Sequence, residues 1–146
     1  MEFISTFITL AGFIIGLGSV TVIDLHGFLG RKSPYWTEAT IRTHKVTKPL
    51  IWIGILLVAI GTFISGVNEL ISSLDFAFRL GIIFLMILNG SFLSFVISPE
   101  LLKREKEGRA SEILPSTMQN KIVISFFVSF VLWWGLLAYI VNSIIL

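Results

Sequence analysis

Residues 3–25 read FISTFITLAGFIIGLGSVTVIDL, an apolar run interrupted by hydroxyls and glycines and free of charge until Asp24. About 20 such residues are what an α-helix needs to cross the hydrocarbon core of a bilayer. Within the run, Ser5, Thr9, Gly12, Gly16 and Ser19 follow at steps of four, three, four and three, so a helix carries them on one face, with a GxxxG pair in the middle. A stripe of small residues on an otherwise bulky helix lets a second backbone approach closely, either within the chain or between subunits.

Three further runs, roughly 50–74, 76–97 and 117–146, have the same length and character. Together they fill most of the 146 residues, and the whole chain is 55% hydrophobic and 14% charged, with a mean hydropathy of +0.92. A soluble domain of this size would lack the polar residues to cover its surface. The expectation is an all-α, polytopic membrane four-helix bundle, a single transmembrane domain of two antiparallel hairpins surrounded by lipid. Gly54 and Gly61 with Ser65 make a sparser small-residue stripe on the second span, and Gly90, Ser94 and Ser98 another on the third. Asn89 is the deepest strongly polar side chain, and its expected use is a hydrogen bond between helices. Trp133 and Trp134 fall near the middle of the fourth span, as packing or lipid-facing bulk rather than interfacial anchors.

The opening Met1-Glu2-Phe3 has no basic stretch, and the apolar run after it is about twice the length of a signal-peptide core, so it is read as a first spanning helix. Charge then orients the chain. Arg31, Lys32, Arg42, Lys45 and Lys48 lie in the connection 26–49, and Lys103, Arg104, Lys106, Arg109 and Lys121 lie in or just beyond the connection 98–116. Only Arg79 of the eleven Lys and Arg sits elsewhere, beside the short second connection. The positive-inside rule puts the two basic connections in the cytoplasm and both termini outside the cell (inner) membrane.

Ser33-Pro34 predicts a capped helix over 34–47 lying along the membrane surface, with Trp36, Ala39, Thr43 and Val46 on one face and Glu38, Arg42 and Lys45 on another. Pro49 then starts or kinks the second span, and a tight turn around Ser72-Ser73-Leu74-Asp75 leads to the third. Ser98-Pro99 predicts a separate short helix through Glu107 that Gly108 closes, and Ser116 with Gln119 makes a capping box for the fourth span.

Zero cysteines exclude disulfides, thiolate metal sites, iron–sulfur clusters and cysteine nucleophiles. No Walker loop or nucleophile elbow is present, no ionisable side chain falls at mid-span, and the cations sit where topology demands them, so the expected partners are lipid and a partner membrane subunit or second copy, with no nucleic acid. The residues left with chemistry are Asp24, His26, Glu38 and His44. The first hairpin returns the chain to one membrane face, where these four can converge, and imidazole with carboxylate suits a divalent metal such as zinc. His26 and His44 also admit a haem at the cytoplasmic edge, though not one at mid-membrane between two histidines.

Gly16-Leu17-Gly18-Ser19-Val20-Thr21-Val22-Ile23-Asp24, Leu50-Ile51-Trp52-Ile53-Gly54, Ile87-Leu88-Asn89-Gly90 and Ile97-Ser98-Pro99-Glu100-Leu101 resemble a group of small predicted prokaryotic four-span integral membrane proteins of unassigned function. In layout they are more distantly similar to the copper-resistance protein D and HemJ-like bundles, some of which handle haem or metal. The resemblance implies the fold. Those relatives are expected to carry a histidine inside an early span, where this chain reads Thr9-Leu10-Ala11-Gly12. Two function classes follow: a non-enzymatic accessory or oligomeric membrane subunit, and a haem- or metal-binding protein using Asp24, His26 and His44. A small channel or transporter is a third.

Overall fold

The computed structural model describes residues 2–145, the side chain of Ile145 excepted; Met1 and Leu146, the last residue of the expected fourth span, lie outside it. Its elements are α1 (Glu2–Leu29), α2 (Pro34–Val67), α3 (Ser73–Phe92), a π-helical segment (Leu93–Ile97), α4 (Ser98–Lys106) and α5 (Ser116–Ile145). No strand occurs among the described residues. Because α3, the π segment and α4 run on without a break, the chain has four long helices, each long and apolar enough to cross a membrane.

α1 packs along the length of α2, α2 also meets α3, and α5 touches both α1 and α3. The small-residue stripe is where α1 and α2 meet: Ser5, Thr9, Gly12, Gly16 and Ser19 are all buried. A Cβ added at Gly12 would lie 2.8 Å from the Gly54 carbonyl, one at Gly54 would strike the Cα of Gly16, and one at Gly61 would strike Thr9 Oγ1. Gly16 leaves room for the ring of Trp133 from α5. That tryptophan is 2% exposed and packs edge-on against Phe13, with centroids 5.8 Å apart. Its neighbour Trp134 turns outward. Around Trp133 gathers the main core, with Leu17, Ile55, Val58, Ile83, Met86 and Leu136.

Asn89 joins α3 to α5: its Nδ2 donates to Ser129 Oγ at 2.8 Å and to the Ser125 carbonyl at 3.2 Å, and Ser125 Oγ donates to its Oδ1 at 2.7 Å.

Several local expectations change. The surface helix 34–47 and the second span are one helix, α2, which Ser33 caps by accepting the Trp36 N–H at 3.4 Å. Pro49 removes a single backbone donor, and a helix held along its length by α1 continues through that loss. The packed face of its first turns is Thr37, Thr40, Ile41 and Thr47 rather than Trp36, Ala39, Thr43 and Val46. Ile41 is fully buried against Ile97 and Leu101, a second small core contributed by the π segment and α4 that the periodicity of residues 34–47 alone does not reveal.

The turn between α2 and α3 lies earlier than expected. It runs from Asn68, through Glu69 in the left-handed region (φ 54°), to Ser72, which caps α3 by accepting the Asp75 N–H at 3.1 Å. Ser98 starts no new helix, since the residue before it is already helical. Gly108, at φ +71°, does end α4. Gln119 does not reach back to cap α5; its amide donates to the Leu114 carbonyl at 2.9 Å and to that of Arg31 at 3.2 Å, tying the two basic connections together. In the exposed second connection Arg109 bonds to Glu107 and holds that carboxyl below its ordinary range.

Candidate functional site

Two ladders face each other near the basic end of the molecule. On α2, His44, Lys48 and Trp52 recur every four residues; on the third long helix so do Gly90, Ser94 and Ser98. The missing side chain of Gly90 admits the Trp52 ring, 3.5 Å from where a Cβ would stand. Trp52 Nε1 then donates to Ser94 Oγ at 3.1 Å, Lys48 Nζ reaches the Ser94 carbonyl at 3.5 Å and Ser98 Oγ at 3.4 Å, and His44 Nε2 lies 2.8 Å from Ser98 Oγ. Next to His44, Lys45 pairs with Glu105, two turns beyond Ser98, at 2.6 Å.

Pro99 explains why a backbone carbonyl is available here. Through the π segment the helix runs in the five-residue register, the Ser98 N–H bonding to the Leu93 carbonyl. In that register the next N–H, at position 99, would serve Ser94, and proline has none. The Ser94 carbonyl therefore faces a lysine instead of its own helix. Such π segments recur at functional sites because they expose backbone polar groups that an α-helix hides.

The ladders close one side of a cavity of about 70 Å³. Asp24 of α1, half-buried, lines it with His44, Lys48, Trp52 and Ser94, and Ile23, Ile51, Leu93 and Phe126 form its apolar walls. Thr21, one turn before Asp24, donates to the Leu17 carbonyl at 2.8 Å and gives the carboxylate nothing. A second apolar hollow of about 310 Å³ between α1 and α5, lined by Phe126, Phe130 and Trp134, shares Asp24 with the first.

Of the four residues expected to converge, Asp24 and His44 share this cavity. His26 and Glu38 do not join them. Glu38 pairs with Arg42 at 2.6 Å, four residues along its own helix. His26, still on α1 because that helix runs to Leu29, sits against Trp36 with ring centroids 5.2 Å apart, its Nδ1 buried without a hydrogen-bond partner. Among the described residues no three His, Asp or Glu side chains stand close enough to share a metal ion. The cavity has room for a few waters rather than a macrocycle, and His44 Nε2 is already engaged by Ser98, so the arrangement does not fit haem.

Lys48 and Trp52 are members of this site that sequence reading passed over. Their signal was the four-residue spacing from His44, legible only once Gly90, Ser94 and Ser98 are known to face them.

What these features define is a class: a small all-α protein with four helices fit to cross a membrane and a polar, hydrogen-bonded seam near its basic end. No protein-family model, curated protein or solved structure matches the chain, so the resemblance to small prokaryotic four-span proteins rests on the quoted residues alone and identifies no family.

Proposed function

We propose that the protein is a multi-pass protein of the cell membrane, a four-helix bundle of two antiparallel hairpins with both termini outside and the basic connections in the cytoplasm. It works as a non-enzymatic accessory or self-associating subunit. The observation that carries this reading is the inverted distribution of side chains. Phe3, Ile14 and Phe95 are 80%, 76% and 76% exposed, whereas hydroxyl and glycine positions such as Ser5, Thr9, Thr62 and Ser129 are buried. Water would not tolerate that surface, and lipid favours it. The gathering of cations at one end supports the orientation. The test is alkaline carbonate extraction of membranes carrying the full chain, with reporter fusions at both termini. Retention in the pellet with outside-positive reporters supports the reading; release into the supernatant overturns the membrane assignment, and cytoplasmic reporters overturn the orientation.

A second reading rests on the cavity beside Asp24, His44 and Lys48: a small ligand with a polar head, held at the cytoplasmic end. Native mass spectrometry of the gently released protein tests both readings at once. A retained mass that His44→Ala removes favours the ligand; a bare, discrete oligomer favours the self-associating subunit, and a bare monomer the accessory one.

A further inference from the structure

At the opposite end of the molecule, where α1 begins, α5 ends and α2 turns into α3, lies a cavity of about 300 Å³ with an unlike chemistry. Arg79 is the sole cation among its described lining residues. It is only 6% exposed, its Nε is buried without a partner, and among the described residues its guanidinium forms no hydrogen bond or ion pair. The acid one turn earlier, Asp75, is near enough for its charge to be felt but gives the guanidinium no hydrogen bond. Asp75 is engaged on both oxygens, by the Tyr139 hydroxyl on Oδ1 and by Ser72 Oγ on Oδ2 at 2.8 Å. Arg79 lies instead over the Tyr139 ring, its Cζ 5.9 Å from the centroid. A guanidinium brings five N–H donors, and burying it without an acceptor is costly, so the site is arranged for an acceptor from outside the chain.

Four hydroxyls on the rest of the wall have the reverse deficit. Ser5, Thr9, Ser65 and Ser143 each donate their proton to a carbonyl of their own helix, at 2.9, 2.8, 3.0 and 2.8 Å. What remains on these hydroxyls is lone pairs, and Glu2 adds a carboxylate to the same wall. A plain anion would find Arg79 but face Glu2 and Asp75. A plain cation would find the acceptors but face Arg79.

From this division of donors and acceptors we infer that the cavity binds a small zwitterion, an oxyanion joined by a short link to a primary ammonium, with the oxyanion on Arg79 and the ammonium among the hydroxyls and Glu2. Bidentate capture of carboxylate or phosphate oxygens is the use to which a fixed guanidinium fork is best suited. Two sources carry this chemistry: the phosphoethanolamine headgroup of a lipid, and a free soluble zwitterion. The lipid source rests on the membrane reading above, since the cavity then lies at headgroup depth.

The test is thermal melting of the full chain in detergent, titrated separately with short-chain phosphatidylethanolamine, short-chain phosphatidylglycerol and free phosphoethanolamine. The expected result is a saturable rise in Tm, with phosphatidylethanolamine effective at a roughly tenfold lower concentration than phosphatidylglycerol, as loss of one charged hydrogen-bonding partner implies. Arg79→Gln removes that response. Free phosphoethanolamine acting as well as its lipid supports the site with a soluble ligand. Equal response to all three probes overturns the inference, as does Arg79→Gln titrating like the wild type. If Arg79→Gln does not fold, Glu2→Gln, exposed in the first turn of α1, takes its place; it narrows the gap between the two lipids, and an unchanged gap overturns the inference. Failed titrations in a protein that still resists alkaline extraction count against the cavity alone. Release by alkali counts against the membrane reading and leaves the free-phosphoethanolamine arm to decide the site.

Discussion

A methyl group added at Gly54 meets the Cα of Gly16, whereas one added at Gly18 meets nothing within 4 Å. The two alanine variants therefore diverge in sign. Gly54→Ala forces two backbones apart and costs about 1–3 kcal/mol or more, the range for overpacking. Gly18→Ala stabilises by up to about 1 kcal/mol, because alanine loses less backbone entropy in a helix. Melting curves in one detergent check both, and a Gly54→Ala variant that melts with the wild type would remove the close α1–α2 contact from the account. For Asn89 the appropriate measurement is a double-mutant cycle with Ser129→Ala. Hydrogen bonds between membrane helices couple by about 0.6 kcal/mol on average and up to about 1.7, and the 2.8 Å amide–hydroxyl bond is expected to fall in that range; a coupling of zero would mean each finds a substitute partner. At this scale the sequence was informative. Glycine spacing marks where a backbone must come close, and a lone amide in an apolar run has few fates. Lys48 and Trp52 were not legible in the same way, because an amphipathic side chain near a span end suits the interface equally well, and only the opposing helix decides otherwise.

The π segment shows how one imino acid organises an element. Pro99→Ala restores the missing N–H, and the third long helix is then expected to relax to the α register, turning Ser98 away from His44. The cysteine-free chain allows this to be measured directly. Ser98→Cys, at a position 1% exposed, is alkylated slowly in the Pro99 background and at least several-fold faster with Pro99→Ala; equal rates would show that the register does not depend on the proline. Helices over these segments follow from their apolar length and from Ser33-Pro34 as a start signal. Their true extents do not. Pro49 and Ser98-Pro99 both look like boundaries, yet the helix passes each one, because losing one backbone donor is a local cost that packing along the whole length of a neighbour offsets. Ile41 shows the same limit: it is a core residue only because the π segment and α4 supply Ile97 and Leu101 to meet it.

Across the whole molecule the two polar sites lie at opposite ends, with the main core between them. Gly12→Leu with Gly16→Leu tests that core at once, since the added side chains strike Gly54, Val58 and Trp133. The double variant is expected to lose its sharp elution peak and cooperative melt, and an unchanged profile would mean that α1 packs by another face. One further consequence comes from the hydroxyls. Ser5, Thr9, Thr21, Thr40, Thr47 and Ser65 all donate to carbonyls within their own helix, so these six ask nothing of another helix, whereas Thr62 Oγ1 of α2 is buried without a partner. Asn89 differs, as its partners Ser125 and Ser129 belong to α5. The first two helices can zip together glycine to glycine before α5 has been made. α3 emerges with an amide whose partners are made last, so Asn89 stays unmet until α5 arrives.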